Sequence, residues 1–425
     1  MRMPVRAIVM VSSAVLVCLT AKAPADSPGE STGAASVTYT KEVARIIQNR
    51  CQDCHRPGQI GPMSLLNYDS AKNWAETIQE VVTERRMPPW FADPKFGKFG
   101  NDRSLSQQEI DTITKWVEAG CPKGDDSDLP EPRKFTDGWF IEPDVVLTMK
   151  QEFDVPATGT VPYKYLMIPT DFDEDKWIEA VELKAGNPAV VHHIVMFVRP
   201  PDFKQGQRPR DGNLSDEQSL GFFAALAPGY VPAPFPKGFG KKIPKGWMIV
   251  LQMHYTANGT AQTDRSSVAL QFAREPVHTE VRTRGIFNAT FNIPPEADNV
   301  EVKSAYRFQQ DSVVLSLMPH MHLRGKDFEY VVERTDGSKE KLLSVPRWDF
   351  NWQVHYKLAE PLIVPKGTII RCTAHFDNST GNKGNPDPTQ RVTWGEQTWD
   401  EMMIGYINYY VPKTKEVSEG TGGSE

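Results

Sequence analysis

Cys51-Gln-Asp-Cys54-His55 has the C-x-x-C-H spacing in which two thiols bond to haem vinyl groups and the adjoining imidazole ligates the iron. Most of the other histidines stand far downstream, at His192-His193, His254 and His320-Met-His322. His320 and His322 are spaced i, i+2, which puts both rings on one face of a strand as a two-point chelate. His192 and His193 are neighbours in the β-forming run Val-Val-His-His-Ile-Val-Met-Phe-Val. On a regular strand neighbours face opposite ways, so joint ligation of one metal requires the strand to end or bulge there. His254 lies at the end of Ile-Val-Leu-Gln-Met-His-Tyr, another strand-forming run. Any one of these, taken singly, is more often a hydrogen-bonded core histidine than a ligand.

The elements that must position these groups change character along the chain. Arg2 and Arg6, the apolar run Ala7 to Thr20 and Ala23-Pro24-Ala25 have the form of a cleavable export signal over 1–25. Val17 before Cys18 is too large for a usual lipoprotein site. Residues 37–122 predict a small all-α haem domain. It has a first helix over Glu42 to Arg50, a longer one over Asp69 to Arg86, and a third opened by a Ser106/Glu109 capping box and stopped by Gly120. Met87 sits in the proline-held loop Arg86-Met87-Pro88-Pro89-Trp90, between the motif and the closing helix. That order resembles class I cytochromes c and makes Met87 the candidate second iron ligand, with Met63 as its rival. Thioether ligation suits electron transfer rather than oxygen chemistry.

A polar, proline-broken linker (123–138) leads into short β-rich runs separated by Gly and Pro turns. They predict two all-β antiparallel jelly-roll-like sandwiches, 139–275 and 276–412, divided near Glu275-Pro276, and then a disordered tail over 413–425. The length of 425 residues fits several domains, and 39% hydrophobic content with ten tryptophans supports real cores. A net charge of −6 without a basic block argues against nucleic acid and against an anionic membrane surface. No membrane span is expected once the leader is removed, and the expected location is periplasmic or secreted. Of the five cysteines, Cys121 and Cys372 remain after the leader and the haem motif. They read as two separate buried thiols or, alternatively, as a pair. His278 and His355 read as ordinary residues, and Cys372-x-x-His375 lacks the methionine of a blue-copper loop.

Residues from about 140 to 412 resemble the copper type II, ascorbate-dependent monooxygenases. The resemblance rests on ordered motifs: His192-His193, Pro236-Lys237-Gly238, Leu-Gln-Met-His254-Tyr, His320-Met-His322, then Asp400-Glu401-Met402 leading into Tyr406 and Tyr409-Tyr410. It implies one copper held by His192, His193 and His254, and a second held by His320, His322 and Met402. Met403 and Met321 are rival thioethers. The donor types agree, since imidazole suits both copper oxidation states and thioether favours Cu(I).

The resemblance further implies hydroxylation of a substrate C–H bond with O2 at the methionine copper, with Tyr406 beside it. The other copper would supply an electron across a solvent-filled cleft. Ascorbate or a redox protein would be the donor, with electrons relayed by the fused haem. Two positions depart from the peptide-amidating members: Met318 stands where they carry an arginine, and Ile404 where they carry an asparagine. A peptide ending in glycine is therefore not the expected substrate. The alternative reading is a non-oxygenating haem/copper redox protein or a copper-binding protein.

Overall fold

The computed structural model describes residues 37–135, 138–203, 221–226 and 232–412. The leader and tail expected from the sequence lie outside the described residues. The chain is mostly β, with a few helices grouped at its start. Among the described residues no helix is long and apolar enough to cross a membrane.

The helical part begins with a π-helical turn, Tyr39–Val43, running into Ala44–Arg50 and burying Val43, Ile46 and Ile47. The closing helix, Gln107–Glu118, opens on the expected capping box, in which the Ser106 hydroxyl accepts from the Glu109 N–H and the Glu109 carboxylate accepts from the Ser106 N–H. The same carboxylate pairs with Arg50 at 3.0 Å, tying the last helix to the first. Gly120, at φ 80°, then stops it. The single helix expected over Asp69 to Arg86 is instead two, Tyr68–Asn73 and Ala75–Thr83, broken at Trp74. Trp74 points outward, and the buried Ala71, Ala75 and Ile78 keep their spacing across the break. The apolar pattern therefore hides it.

The expected linker is held rather than loose. Arg133 pairs with Asp53 at 2.6 Å, and the Arg56 guanidinium lies over Phe135 and Phe140 at 4.3 and 4.8 Å. Both contacts start from residues in or next to the C-x-x-C-H motif.

In the first sandwich, strands Val145–Thr148, Ser267–Phe272, Lys176–Lys184, Phe239–Ile243 and Thr279–Glu280 form one sheet in that order. Lys164–Pro169, Met248–Tyr255, Val191–Arg199 and Phe222–Leu226 form the other. Both sheets supply one shared core that includes Ile178, Ile194, Leu251 and Leu270. The second sandwich pairs Arg282–Phe287, Ile404–Tyr410, Ser312–His320 and Tyr356–Val364 in one sheet. Its other sheet is Val300–Arg307, Ile369–Phe376, Gly325–Glu333 and Lys339–Val345. A core through Leu317, Phe328, Ile370 and Ile407 joins them. Thr279–Glu280 still pairs with Phe239–Ile243, so the chain passes between sandwiches at Val281, a little beyond the expected Glu275-Pro276 divide.

The loop after Met87 docks on the second sandwich. Phe99 bridges Leu358, Asn101 is bonded to His355 and Lys357, and Trp90 meets Tyr356 edge-on at 4.9 Å. Between the two sandwiches Lys241 is buried, donating to the Phe223 carbonyl at 2.7 Å and the Thr283 hydroxyl at 2.8 Å. Burial pushes its amine down to about 7. Because the folded value lies below the unfolded one, the stabilising contribution is complete above pH 10.5 and is lost as pH falls toward 7. Stability should therefore drop across that window by up to about 1.4 kcal/mol per pH unit, and Lys241→Met should lack that slope. Denaturant titrations of both proteins at several pH values check it.

Candidate metal centres

His192 and His193 lie on a strand that bulges between them. Val191 pairs with Tyr255, yet His193 rather than His192 stands opposite His254. The extra residue turns neighbouring side chains the same way. The Nδ1 atoms converge as a result, with His193 Nδ1 3.2 Å from that of His192 and 3.2 Å from that of His254. His254 Nε2 meets the Thr398 hydroxyl at 3.0 Å, and His192 Nε2 faces Asn351 Oδ1 at 3.4 Å. A proton on those two Nε2 atoms leaves the His192 and His254 Nδ1 atoms as lone pairs turned toward His193 Nδ1, and the three rings offer ligand atoms within 4.8 Å of one another, as a metal site would require. Burial, then the neighbouring rings, pushes His193 well below its usual value, and burial takes His254 down to about 3. These are neutral imidazoles, the form that ligates metal.

His320 and His322 make a second pair, with ring centroids 5.2 Å apart. The strand ends at His320, so His322 sits in the turn beyond it rather than on the strand face that the i, i+2 spacing predicts. His320 Nδ1 bonds Gln353 Oε1 at 2.6 Å, and His322 Nδ1 bonds the Asp400 carbonyl at 3.2 Å. Each contact requires the proton on Nδ1 and leaves Nε2 as a lone pair. His322 Nε2 is fully buried and has no hydrogen-bond partner among the described residues. A buried unpaired nitrogen of this kind fits a ligand position.

Met402 is half-buried and stands between two residues fixed on this pair. Asp400 is bonded to His322, and Ile404 is the strand partner of His320. Met403 and Met321 are fully buried in the core of the second sandwich, and the Met403 sulfur accepts from the Ser304 hydroxyl. Both rival thioethers are thus occupied by packing.

Glu401 holds the turn, since its oxygens accept from the His322 N–H at 2.8 Å and the Arg324 N–H at 2.6 Å. Burial pushes its carboxyl up to about 8 against those two bonds. Gln353→Ala should weaken metal retention at this pair by about 10–100-fold and leave the three-histidine cluster unaffected. Metal titration of the variant checks it.

One ring stands between the two groups. Phe350 stacks on His192 at 4.8 Å and lies 6.1 Å from both His254 and His322. Phe350 is thus an aromatic wedge packed against rings of both groups. Thr398 on His254 and Gln397 on the Tyr163 N–H bring the sandwiches together around it. Tyr406 is paired with Met318, and its ring lies 6.4 Å from that of His320.

The C-x-x-C-H motif lies some distance along the chain from both groups. His55 Nδ1 is 3.3 Å from the Met63 carbonyl, which fixes the proton there and leaves Nε2 bare. Gly61 packs against His55 so closely that a Cβ would stand 2.8 Å from Nδ1. Cys51 and Cys54 are free thiols, and burial pushes Cys51 up to about 12. The donor set fits an attached haem, with an unprotonated Nε2 and two thiols that are not already paired. Arg103 lies in electrostatic reach of Cys54 and Asp53 and also of Tyr356 in the second sandwich. Met87 is half-buried at the end of its helix, where its N–H reaches the Val81 carbonyl.

Cys121 and Cys372 are separate buried thiols. His375 pairs with Asp327 at 2.7 Å, away from any thioether, and His278 bonds Thr279. Phe350, Gln353 and Thr398 hold the histidines and went unnoticed in the sequence, and Glu401 was quoted there only as part of the Asp400-Glu401-Met402 motif. Only Glu401, adjacent to Met402, carried a local signal.

Residues 281–420 match the family model of the copper type II ascorbate-dependent monooxygenase C-terminal domain. The match supports that family and a coarse assignment as a copper oxidoreductase. His320, His322, Met402 and Tyr406 fall within it, and the three-histidine cluster lies outside. Among solved structures, the major capsid protein P2 of bacteriophage PM2 is similar at a TM-score of 0.27 and 8% identity, over 64% of this chain and 98% of that one. A Penaeus vannamei nodavirus particle gives 0.20 and 10%, over 63% and 98%. Scores this low carry no argument.

Proposed function

We propose that the chain is an exported copper monooxygenase that hydroxylates a substrate C–H bond with O2, fed by its own c-type haem. The observation that carries this is the pairing of two histidine groups with bare nitrogens on either side of Phe350. His192, His193 and His254 would hold one copper through Nδ1, and His320 and His322 a second through Nε2, with the Met402 sulfur. When bound, these coppers supply one-electron redox chemistry and an O2 site at the thioether-bearing centre.

The protein's own groups do the rest. Gln353 and the Asp400 carbonyl fix the tautomers, Glu401 fixes the turn, and Phe350 packs between the groups. Overall, one oxygen atom enters the C–H bond and the other leaves as water, which consumes two electrons and two protons.

The electron source we propose is a haem that Cys51, Cys54 and His55 would hold, with Met87 as the candidate second ligand. The Met63 backbone is already engaged with His55 Nδ1, which favours Met87 over Met63 for that role. The docked loop supports this reading, since it carries Arg103 within electrostatic range of both Cys54 and Tyr356, and Tyr356 follows three residues after Gln353, which bonds His320. The export-signal form and the haem chemistry both support a periplasmic or secreted location.

Supplying 18O2 with a candidate substrate and analysing the product tests the reaction class. One labelled oxygen in the product supports it. Oxygen consumption without label would favour the non-oxygenating alternative. Reducing the haem alone and following its reoxidation on copper loading tests the donor. If ascorbate reduced the copper while reduced haem did not, the relay would be abandoned.

A further inference from the structure

A cavity of about 360 Å³ lies where the two sandwiches and the docked loop meet, close to the His320 strand. Its walls are mainly apolar, with Ile178, Phe222, Ala224, Met318 and Leu358 among them. Met318 and Tyr406 extend that wall to within one ring of His320. Against this surface stands one polar chain. Lys241 donates to Thr283, Thr283 donates to Asn408 at 2.6 Å, and His355 Nε2 meets Asn408 at 3.3 Å and Ser316 at 2.7 Å.

The charges around the cavity are one-sided. Lys241 and Lys357 line it beside His355, which burial takes down to about 4 and so keeps neutral, and Glu179 is the single acidic lining residue among the described residues. The oxygens of Glu179 are already taken by Gln271 and by the Arg274 N–H. Lys241 is 7% exposed; it donates to a carbonyl and a hydroxyl and lies over the Phe222 and Phe223 rings at 5.9 and 5.4 Å, but its ammonium has no anionic partner among the described residues. A buried ammonium without a counter-charge is costly, and a third N–H remains to be directed at an acceptor.

We propose that this cavity binds an organic carboxylate, its acid group on Lys241 beside the Thr283–Asn408–His355 chain and its apolar body against Phe222, Ala224 and Met318. Identifying that occupant as the hydroxylation substrate rests on the copper reading above, whereas its binding does not. The polar chain meets Asn408, opposite Ser316, whereas Met318 and Tyr406 stand two residues nearer His320 on the same strands, so the acid end sits away from His320 and the apolar end toward it. C–H bonds, not the carboxylate, face the candidate oxygen site.

The test is calorimetric titration of the full-length protein at pH 7 with octanoate and 3-phenylpropionate, each beside its primary amide. It is run on copper-loaded and on copper-stripped samples. At least about tenfold tighter binding of the acids than of the amides is expected, in both samples. Lys241→Met should abolish that preference while melting no lower than the parent, since it removes an uncompensated buried amine. Ala224→Trp should fill the cavity and block acid and amide alike. Equal binding of acid and amide, no binding of either, or a preference that survives Lys241→Met would each overturn the proposal. A failed copper assay would leave these readings unchanged, and octanoate failing to bind a copper-loaded, oxygen-consuming protein would sink the cavity alone.

Discussion

Met402→Ala is expected to abolish hydroxylation, by more than about 100-fold, while the haem spectrum stays intact. That exceeds the 10–100-fold range expected for loss of a group that only orients a ligand. The copper at His320 and His322 would lose its soft donor, so its Cu(I) form should be held less tightly and the three-histidine copper should be unchanged. Met403→Ala provides the contrast. Met403 is fully buried, with its sulfur on Ser304, so its removal should cost about 2–5 kcal/mol of stability with the copper content preserved. Copper analysis and denaturant unfolding of the two variants would separate the roles. Reversal of the two outcomes would move the ligand to Met403.

Glu401→Ala should have the next largest effect, and on two observables together. Both carboxylate oxygens serve the turn that carries His322, and the buried Arg324 guanidinium is fixed nearby by Asn378 and the Trp399 carbonyl. Removing the carboxyl leaves the two buried N–H groups of His322 and Arg324 unpaired. The expected loss is about 2–6 kcal/mol, the usual cost of two unsatisfied buried donors. The turn would relax, so copper at His320/His322 should fall in parallel with stability. Glu401→Gln keeps one acceptor oxygen and should show a smaller loss of each. If Glu401→Ala unfolded the second sandwich entirely, the Gln variant would carry the comparison.

Much of the arrangement was legible because it is local. The capping box at Ser106/Glu109, the strands Met248–Tyr255 and Ile369–Phe376, and the C-x-x-C-H turn are each written in a few adjacent residues. The His192-His193 pair was legible as a condition: either the strand bulges or the residues do not share a metal. The bulge itself depends on the register against Tyr255 and His254, which no single strand encodes. The break at Trp74 was hidden because the buried positions keep helical spacing across it. The Phe350 wedge, the Gln353 and Thr398 contacts, and the lysine in the cavity wall were not legible. Each arises where segments far apart in the chain meet, and none has a residue type that marks it in advance.

The most direct measurement of the central claim is the copper-to-haem ratio of the haem-matured protein, beside His192→Ala and His320→Ala. The account predicts about two coppers per haem, with each variant losing one and keeping the other. Zinc in place of copper, no bound metal, or a single metal lost by both variants alike would contradict it.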